Sequence, residues 1–292
     1  MGSAFVFPGQ GSQSVGMGKE LAEKHLERAN AVLGFDLKKL VLEGPEEELK
    51  KTELQQPAIF AVSAAAYDLL ATRYPLPVTC VAGHSLGEYS ALYAAGVISF
   101  EDGVKTVNLR GKFMQEAVPA GAGAMAALLG GDRETIANIC KEVGNVWPAN
   151  FNSPGQVVIS GTKEAVEQAG IKLKAAGVKK IIPLSVSAPF HCPLMRPAAD
   201  KLAAQLDKIT FHDAKVPVYA NVTAKPVTSA AEIKQLLVKQ VTGSVLWEDS
   251  IKNMVADGVT SFIEVGPGKV LAGLIKKIDP AVEVKSFTEL VL

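Results

Sequence analysis

Val81-Ala82-Gly83-His84-Ser85-Leu86-Gly87-Glu88 is the stretch on which the fold turns. A short apolar run enters Gly-x-Ser-x-Gly, and Tyr89 to Ala95 follows as a helix rich in residues small enough to pack close to a sheet. Strand, sharp turn and helix form the context that a nucleophile elbow requires. Glycine at 83 and 87 removes Cβ atoms that would clash in the turn. The turn then strains Ser85 and projects its hydroxyl from the carboxyl end of the strand. The positive end of the following helix favours negative charge developing there. Outside that context, the same residues would make a glycine-rich turn carrying an ordinary solvated serine.

The same alternation extends outward. Ala4 to Phe7 reads as a strand broken by Pro8-Gly9-Gln10-Gly11, Gln56 to Arg73 as a helix with Pro57 in its first turn, and Val78 to Ala82 as the next strand. In the helix expected from Phe100 to Val118, the stripe Val104, Val107, Met114 and Val118 faces inward. At 100° per residue Arg110 falls roughly 70° from the centre of that stripe, at the border of the buried face. Apolar runs ending in Gly or Pro, alternating with amphipathic stretches, predict an α/β class with a doubly wound, mostly parallel sheet, α/β-hydrolase-like.

A shift in composition at Pro119-Ala120-Gly121-Ala122-Gly123 opens a different pattern. Strands are expected at Ala124 to Leu129, Val146 to Asn150, Val157 to Ser160 and Lys179 to Leu184, with helices at Arg133 to Val143 and Lys163 to Ala176. That β-α-β-β-α-β order is ferredoxin-like. Residues 123–185 therefore read as a small domain inserted into a large one made of 1–122 and 186–292. The large pattern resumes with helices at Pro193 to Asp207, Ala230 to Gln240 and Trp247 to Asp257, strands near Val218 to Ala220 and Ser261 to Val265, and a last helix from Val270 to Ile278.

The 292 residues hold 30 Lys+Arg against 30 Asp+Glu, so the net charge is zero, and no block of five like charges occurs. That balance disfavours nucleic-acid wrapping and polybasic membrane binding. A 48% hydrophobic share with 21% charged residues suits a well-filled globular core. The most apolar segment, Ile59 to Ala71, is interrupted by Ser63, Tyr67 and Asp68 and falls short of the roughly eighteen apolar residues of a membrane span. No secretory signal is expected from the weakly apolar start. Cys80, Cys140 and Cys192 lie far apart and make neither a disulfide framework nor a zinc site, so the expectation is no metal and a reducing compartment, the cytoplasm.

A serine nucleophile needs a base, and four histidines compete. His84 sits inside the elbow, His25 on a charged, solvated helix from Lys19 to Arg28, and His212 beyond a helix end. His191 lies in the non-helical Val186-Ser187-Ala188-Pro189-Phe190-His191-Cys192-Pro193, at the exit of the insertion, where loops hold catalytic bases. Asp200, Asp207 and Asp213 are near it in sequence and none is marked as its partner, so a main-chain carbonyl can orient it instead. The loop Pro8-Gly9-Gln10-Gly11-Ser12-Gln13 should emerge at the same sheet edge as Ser85, where its N–H groups could complete an oxyanion hole. It is no dinucleotide fingerprint, because Ser14 stands where the third glycine belongs; Gly266-Pro267-Gly268-Lys269 is likewise no phosphate loop.

Over essentially its whole length the chain resembles the malonyl-CoA:acyl carrier protein transacylases of type II fatty acid synthesis and, more distantly, polyketide synthase acyltransferase domains. The likeness is carried by Phe7 to Gln13, Gly83 to Tyr89, Arg110-Gly111, Asn150 to Gln156, His191 to Met195 and Glu264 to Gly268. It implies a ping-pong transfer in which malonyl passes from malonyl-CoA to Ser85, with His191 as base, and then to the phosphopantetheine thiol of an acyl carrier protein. By the same resemblance the main-chain carbonyl of Gln240 orients His191, backbone N–H groups of Gln10 and Leu86 form the oxyanion hole, Arg110 clamps the malonyl carboxylate, and Phe190 disfavours an α-methyl branch. It further implies no cofactor beyond the coenzyme A carried by the substrate. The oligomeric state cannot be read from the sequence, and monomer is the default. A thioesterase or lipase, and a non-catalytic carrier-binding scaffold, are the rivals. Arg110 and the inserted domain speak against the first, and an intact Ser85 with His191 against the second.

Overall fold

A computed structural model describes residues 2–73, 77–186 and 188–291; Ser187, in the loop before His191, lies outside the described residues. The strands are β1 (Gly2–Phe7), β2 (Cys80–Gly83), β3 (Gly123–Leu129), β4 (Val146–Ser153), β5 (Gln156–Thr162), β6 (Lys180–Pro183), β7 (Val218–Tyr219), β8 (Pro226–Val227), β9 (Val259–Glu264) and β10 (Glu283–Ser286). They form one sheet in the order β10-β9-β1-β2-β7-β8 and a second in the order β4-β5-β3-β6. In the first sheet every pairing is parallel except that of the short edge strand β8.

Both faces of the parallel sheet are buried, which is why its strands are apolar runs and not alternating ones. Phe5, Phe7, Val81, Val218 and Ile263 point into one core, against the helices Thr52–Arg73, Phe100–Glu116, Arg196–Leu206 and Ala230–Thr242. Ala4, Val6, Ala82, Tyr219 and Phe262 point into the other, against the helices Trp247–Ala256 and Val270–Ile278. Helices on both faces make the sheet doubly wound.

The second sheet is antiparallel throughout and has the ferredoxin-like order. Its helices Arg133–Val143 and Lys163–Ala175 cover one face through Ile136, Cys140, Ala169 and Leu173. Met125, Ala149 and Val158 on the other side join the large core. Strand β4 is also tied to the large body along its edge: the Phe151 N–H donates to the Val245 carbonyl at 2.9 Å and the Val245 N–H to the Ala149 carbonyl at 2.8 Å. Arg133 locks that junction by a bidentate pair with Asp249 at 2.6 and 2.7 Å, its guanidinium 4.0 Å from the Phe151 ring centre.

Three sequence expectations need correcting. The helix expected to open at Gln56 starts at Thr52, which leaves Pro57 inside it. Proline has no N–H for the Glu53 carbonyl one turn back. The Asn108 amide supplies the missing donor at 2.7 Å, so a neighbouring helix rescues the turn. His25 is not solvated: its helix runs over Glu23–Leu33, its side chain is only 14% exposed, its Nε2 lies 2.8 Å from Asp68 and its ring is edge-on to Phe100. Finally, Val270–Ile278 is not the last element, because β10 and the helix Phe287–Val291 follow, and β8 was not foreseen. A two-residue edge strand and the charged run Glu283-Val284-Lys285-Ser286 carry no apolar pattern to announce them.

Candidate active site

Strands β1 and β2 are parallel neighbours with Phe7 opposite Gly83, so the loops that follow them leave the carboxyl edge of the sheet side by side. The His84 N–H donates to the Phe7 carbonyl at 3.0 Å and ties the two loops together. A Cβ on Gly83 would lie 1.9 Å from the Gly87 carbonyl carbon, and one on Gly87 would lie 2.1 Å from the Phe7 oxygen. Only glycine fits either place. Between them Ser85 adopts φ +51°, a left-handed conformation that L-residues rarely occupy. The helix Gly87–Ala94 begins two residues later and aims its amino end at this turn.

Ser85 and His191, 106 residues apart, meet with Oγ 2.7 Å from Nε2. Both are buried, and His191 too has a positive φ, +59°. Its Nδ1 lies 2.9 Å from the main-chain oxygen of Gln240. A carbonyl can only accept, so Nδ1 carries the proton and Nε2 presents its lone pair to the serine. Among the described residues no carboxylate is hydrogen-bonded to His191; Asp207 pairs with Lys234 and Asp213 accepts from the Ala230 N–H instead. Burial, and after it the Arg110 charge, push the His191 imidazolium down to about 3, so the ring is neutral across the ordinary range.

Arg110 is fully buried, deeper than its angular position on the helix predicted. Gly111 explains the difference: a Cβ there would sit 2.6 Å from the Thr52 carbonyl oxygen, so its absence lets the helices Phe100–Glu116 and Thr52–Arg73 close over the arginine. One guanidinium nitrogen donates to Gln56 Oε1 at 2.7 Å, and the other to Ser85 Oγ at 3.1 Å and Gln240 Oε1 at 3.0 Å. Arg110 Nε and Gln56 Nε2 are buried donors without a partner among the described residues. Gln240 therefore serves twice, through its main chain for His191 and through its side chain for Arg110. Its Nε2 also donates to the Ser85 carbonyl at 2.9 Å and to Glu88 at 2.8 Å. Burial raises the Glu88 carboxyl to about 7.

Leu86 follows the serine and immediately precedes the helix, where N–H groups have no intrahelical acceptor. Gln10, in the adjoining loop, is held by its side chain, which donates to Gln55 at 2.5 Å. Phe190 is buried directly before His191. His84 is structural: its Nε2 lies 2.8 Å from Asn152 and its ring packs edge-on against Trp247. Of the residues singled out in the sequence, His191, Arg110 and Gln240 are bonded to Ser85 directly, and Leu86 adjoins it in the chain. Gln56 and Glu88 were missed as site residues. Glu88 stood in the elbow motif, and Gln56 differs from its neighbour Gln55 only in direction, which no sequence pattern records.

Residues 4–289 match the family model described as acyl transferase domain. The chain is 54% identical over 284 residues to the malonyl CoA-acyl carrier protein transacylase of Escherichia coli K12, covering 94% of this chain and 92% of that protein. To the Bacillus subtilis protein of the same name it is 50% identical over 286 residues, covering 94% and 90%. Among solved structures, an acyl carrier protein S-malonyltransferase from Vibrio cholerae superposes with a TM-score of 0.97 at 45% identity, covering all of both chains. A malonyl-transacylase solved in complex with a type II PKS acyl-carrier protein superposes with a TM-score of 0.94 at 48% identity, covering 98% of this chain and 95% of that one.

Proposed function

The chain belongs to the acyl transferase domain family, among its malonyl-CoA:acyl carrier protein transacylases, and on that premise we propose how its residues carry malonyl from coenzyme A to the carrier for fatty acid synthesis. The observation that carries this reading is the buried chain Gln240 carbonyl, His191, Ser85, Arg110.

His191 Nε2 takes the Ser85 proton as Oγ attacks the malonyl thioester carbonyl. The tetrahedral oxyanion is held by the N–H groups of Leu86 and Gln10, each donor being worth about 3 kcal/mol to the transition state. The C–S bond then breaks, the imidazolium returns its proton to the departing coenzyme A sulfur, and malonyl remains on Ser85. In the second half, neutral His191 deprotonates the phosphopantetheine thiol, whose sulfur attacks the acyl-serine. Ser85 Oγ leaves with the proton from His191. Every proton and leaving group is accounted for by the dyad and the two thiols, so the cycle needs no resident metal or cofactor.

Malonyl differs from acetyl by a free carboxylate, and a buried, planar cation is its natural partner. The unpartnered donors of Arg110 and Gln56 support that role. When the carboxylate neutralises Arg110, the charge that depresses His191 is compensated, and the base strengthens at the moment it is needed. Phe190 crowds the space an α-methyl branch would take.

The reading treats 123–185 as a domain inserted between 1–122 and 186–292, supported by the fact that every strand of the second sheet falls within the insertion. Carrier-protein contact uses basic residues near the cleft. Lys112, Lys179 and Lys180 are exposed candidates for it. The protein is read as a monomer of the cytoplasm, in keeping with the free, buried Cys80, Cys140 and Cys192. Among the described residues no helix is long and apolar enough to cross a membrane.

Intact-protein mass spectrometry after brief exposure to malonyl-, methylmalonyl- and acetyl-CoA, followed by a phosphopantetheinylated carrier, tests the whole reading. A malonyl adduct on Ser85 that discharges to the carrier is expected. Free coenzyme A without an adduct would favour a thioesterase, and neither product would favour a scaffold.

A further inference from the structure

We propose that Asn221 is a positioning residue for the nucleophile: its side-chain amide clamps the elbow from Gly83 to Ser85 and so sets the direction of the serine hydroxyl. The inference rests on the reading of Ser85 as nucleophile and adds a residue to which no role has been attached.

Asn221 follows β7, the strand beside β2, and is 1% exposed. Its Oδ1 accepts the Ser85 N–H at 2.7 Å while its Nδ2 donates to the Gly83 carbonyl at 2.7 Å. One amide thus satisfies a donor and an acceptor that flank His84, as a neighbouring strand would if β7 continued. Strand β7 ends at Tyr219, and the asparagine side chain takes over where backbone pairing stops. The elbow needs such a clamp because Ser85 is held at φ +51°, a conformation costing on the order of 1 kcal/mol or more that persists only where surrounding bonds enforce it.

The clamp is itself fixed. The Asn221 N–H donates to Glu88 Oε2 at 3.1 Å, and its carbonyl accepts the Leu246 N–H at 2.8 Å. The same Glu88 oxygen accepts from Gln240 Nε2 at 2.8 Å, and the Gln240 carbonyl holds His191. Nucleophile and base are therefore registered to one buried carboxyl, Ser85 through Asn221 and His191 through Gln240. A shared anchor keeps the two from drifting apart independently. The ionisable groups gathered round the amide are Glu88, which its N–H contacts, His191 and Arg110, joined through Gln240 and Ser85, and His84 in the elbow itself.

Asn221→Ala removes the bonds to Ser85 and Gly83, together with the longer one that Asn221 Oδ1 accepts from Gln240 Nε2 at 3.3 Å, and leaves the main-chain bonds to Glu88 and Leu246 in place. A misdirected nucleophile lowers the chemical step without weakening substrate binding, so single-turnover malonylation of Ser85 should slow roughly 10- to 100-fold with KM for malonyl-CoA little changed. Asn221→Asp gives a sharper readout. An ionised carboxylate can accept from Ser85 but repels the Gly83 oxygen, whereas a protonated carboxyl donates and accepts as the amide does. The ratio of variant to wild-type acylation rate should therefore climb several-fold as pH falls from about 8 to 5.5, a range over which His191 is neutral in the wild type. An Asn221→Ala variant that acylates within threefold of wild type would overturn the proposal. So would an Asn221→Asp ratio that stays flat with pH, and this second variant decides the matter should the alanine variant fail to fold. Wild-type protein that takes up no malonyl would instead remove the reading of Ser85 on which the clamp depends.

Discussion

Replacing Arg110 by alanine asks whether the buried guanidinium recognises the substrate or merely props the fold. Three of its donor contacts go to Gln56, Ser85 and Gln240, and Nε is left over, so a malonyl carboxylate can be met by two charge-assisted bonds only if the arginine turns part of its fork to the ligand. Such bonds contribute about 1.5–3 kcal/mol each. Two of them give about 3–6 kcal/mol, or roughly 10²- to 10⁴-fold in kcat/KM for malonyl-CoA at about 1.36 kcal/mol per decade. The acetyl group carries no carboxylate and escapes that loss. The contact to Ser85 Oγ disappears for both substrates, and so does the charge that depresses His191, so these effects cancel in a ratio. The assay is initial-rate transfer to the carrier with each thioester separately, reported as malonyl over acetyl kcat/KM, with a thermal melt to establish that the variant is folded. The ratio should collapse by two orders of magnitude or more. Equal losses for the two substrates would show that Arg110 acts only as a structural cation.

Ser85→Ala should abolish the acyl-enzyme, and an undiminished labelled adduct in that variant would remove Ser85 from the mechanism. Gly87→Ala places a Cβ 2.1 Å from the Phe7 oxygen, against backbone that cannot yield, so the variant should be destabilised by several kcal/mol; a melting temperature within a few degrees of wild type would contradict the packing. Glu88→Gln tests the buried carboxyl. With a folded value near 7 against an ordinary 4.5, Glu88 contributes stability that is fully present below pH 4.5 and is lost as pH rises through 7. That loss is on the order of 3 kcal/mol. His191, depressed to about 3 from 6.5, contributes in the opposite sense: its stability is present above pH 6.5 and lost as pH falls towards 3. Denaturant titrations at pH 5 and pH 8 should therefore show Glu88→Gln gaining on wild type at the higher pH, and an unchanged difference would mean that the carboxyl is not desolvated as described.

The sequence made the dyad legible because each partner sits in a local pattern with one chemical reading: a strand-turn-helix for Ser85 and an irregular loop at the exit of the insertion for His191. The alternation of apolar runs and amphipathic stretches likewise foretold both sheets, since burial on two faces or one leaves its mark residue by residue. Contacts between distant segments left no such mark. Nothing around Asn108 announces that its amide satisfies a carbonyl orphaned by Pro57, and so the start of that helix was misplaced. Arg110 looked like a border residue because angle along one helix says nothing of what a second helix covers. Gln56 and Asn221 are single polar residues in ordinary surroundings, recognisable only once the chain has brought them to the elbow. The family resemblance supplied the roles of Arg110 and Gln240 that periodicity alone could not.

The nest around Arg110 also bears on how such a site could be given a new substrate. Two glutamine oxygens, from Gln56 and Gln240, converge on the guanidinium from opposite ends of the chain. An enzyme meant to accept uncharged acyl groups cannot simply drop the arginine, because both oxygens would then be stranded in a dry cavity. Gln240 cannot be traded freely either, since its side chain also bonds the Ser85 carbonyl. A change of diet has to pass through Gln56 first, a hydrogen-bond partner that touches neither the nucleophile nor its base among the described residues, and a designed library would do well to vary positions 56 and 110 together.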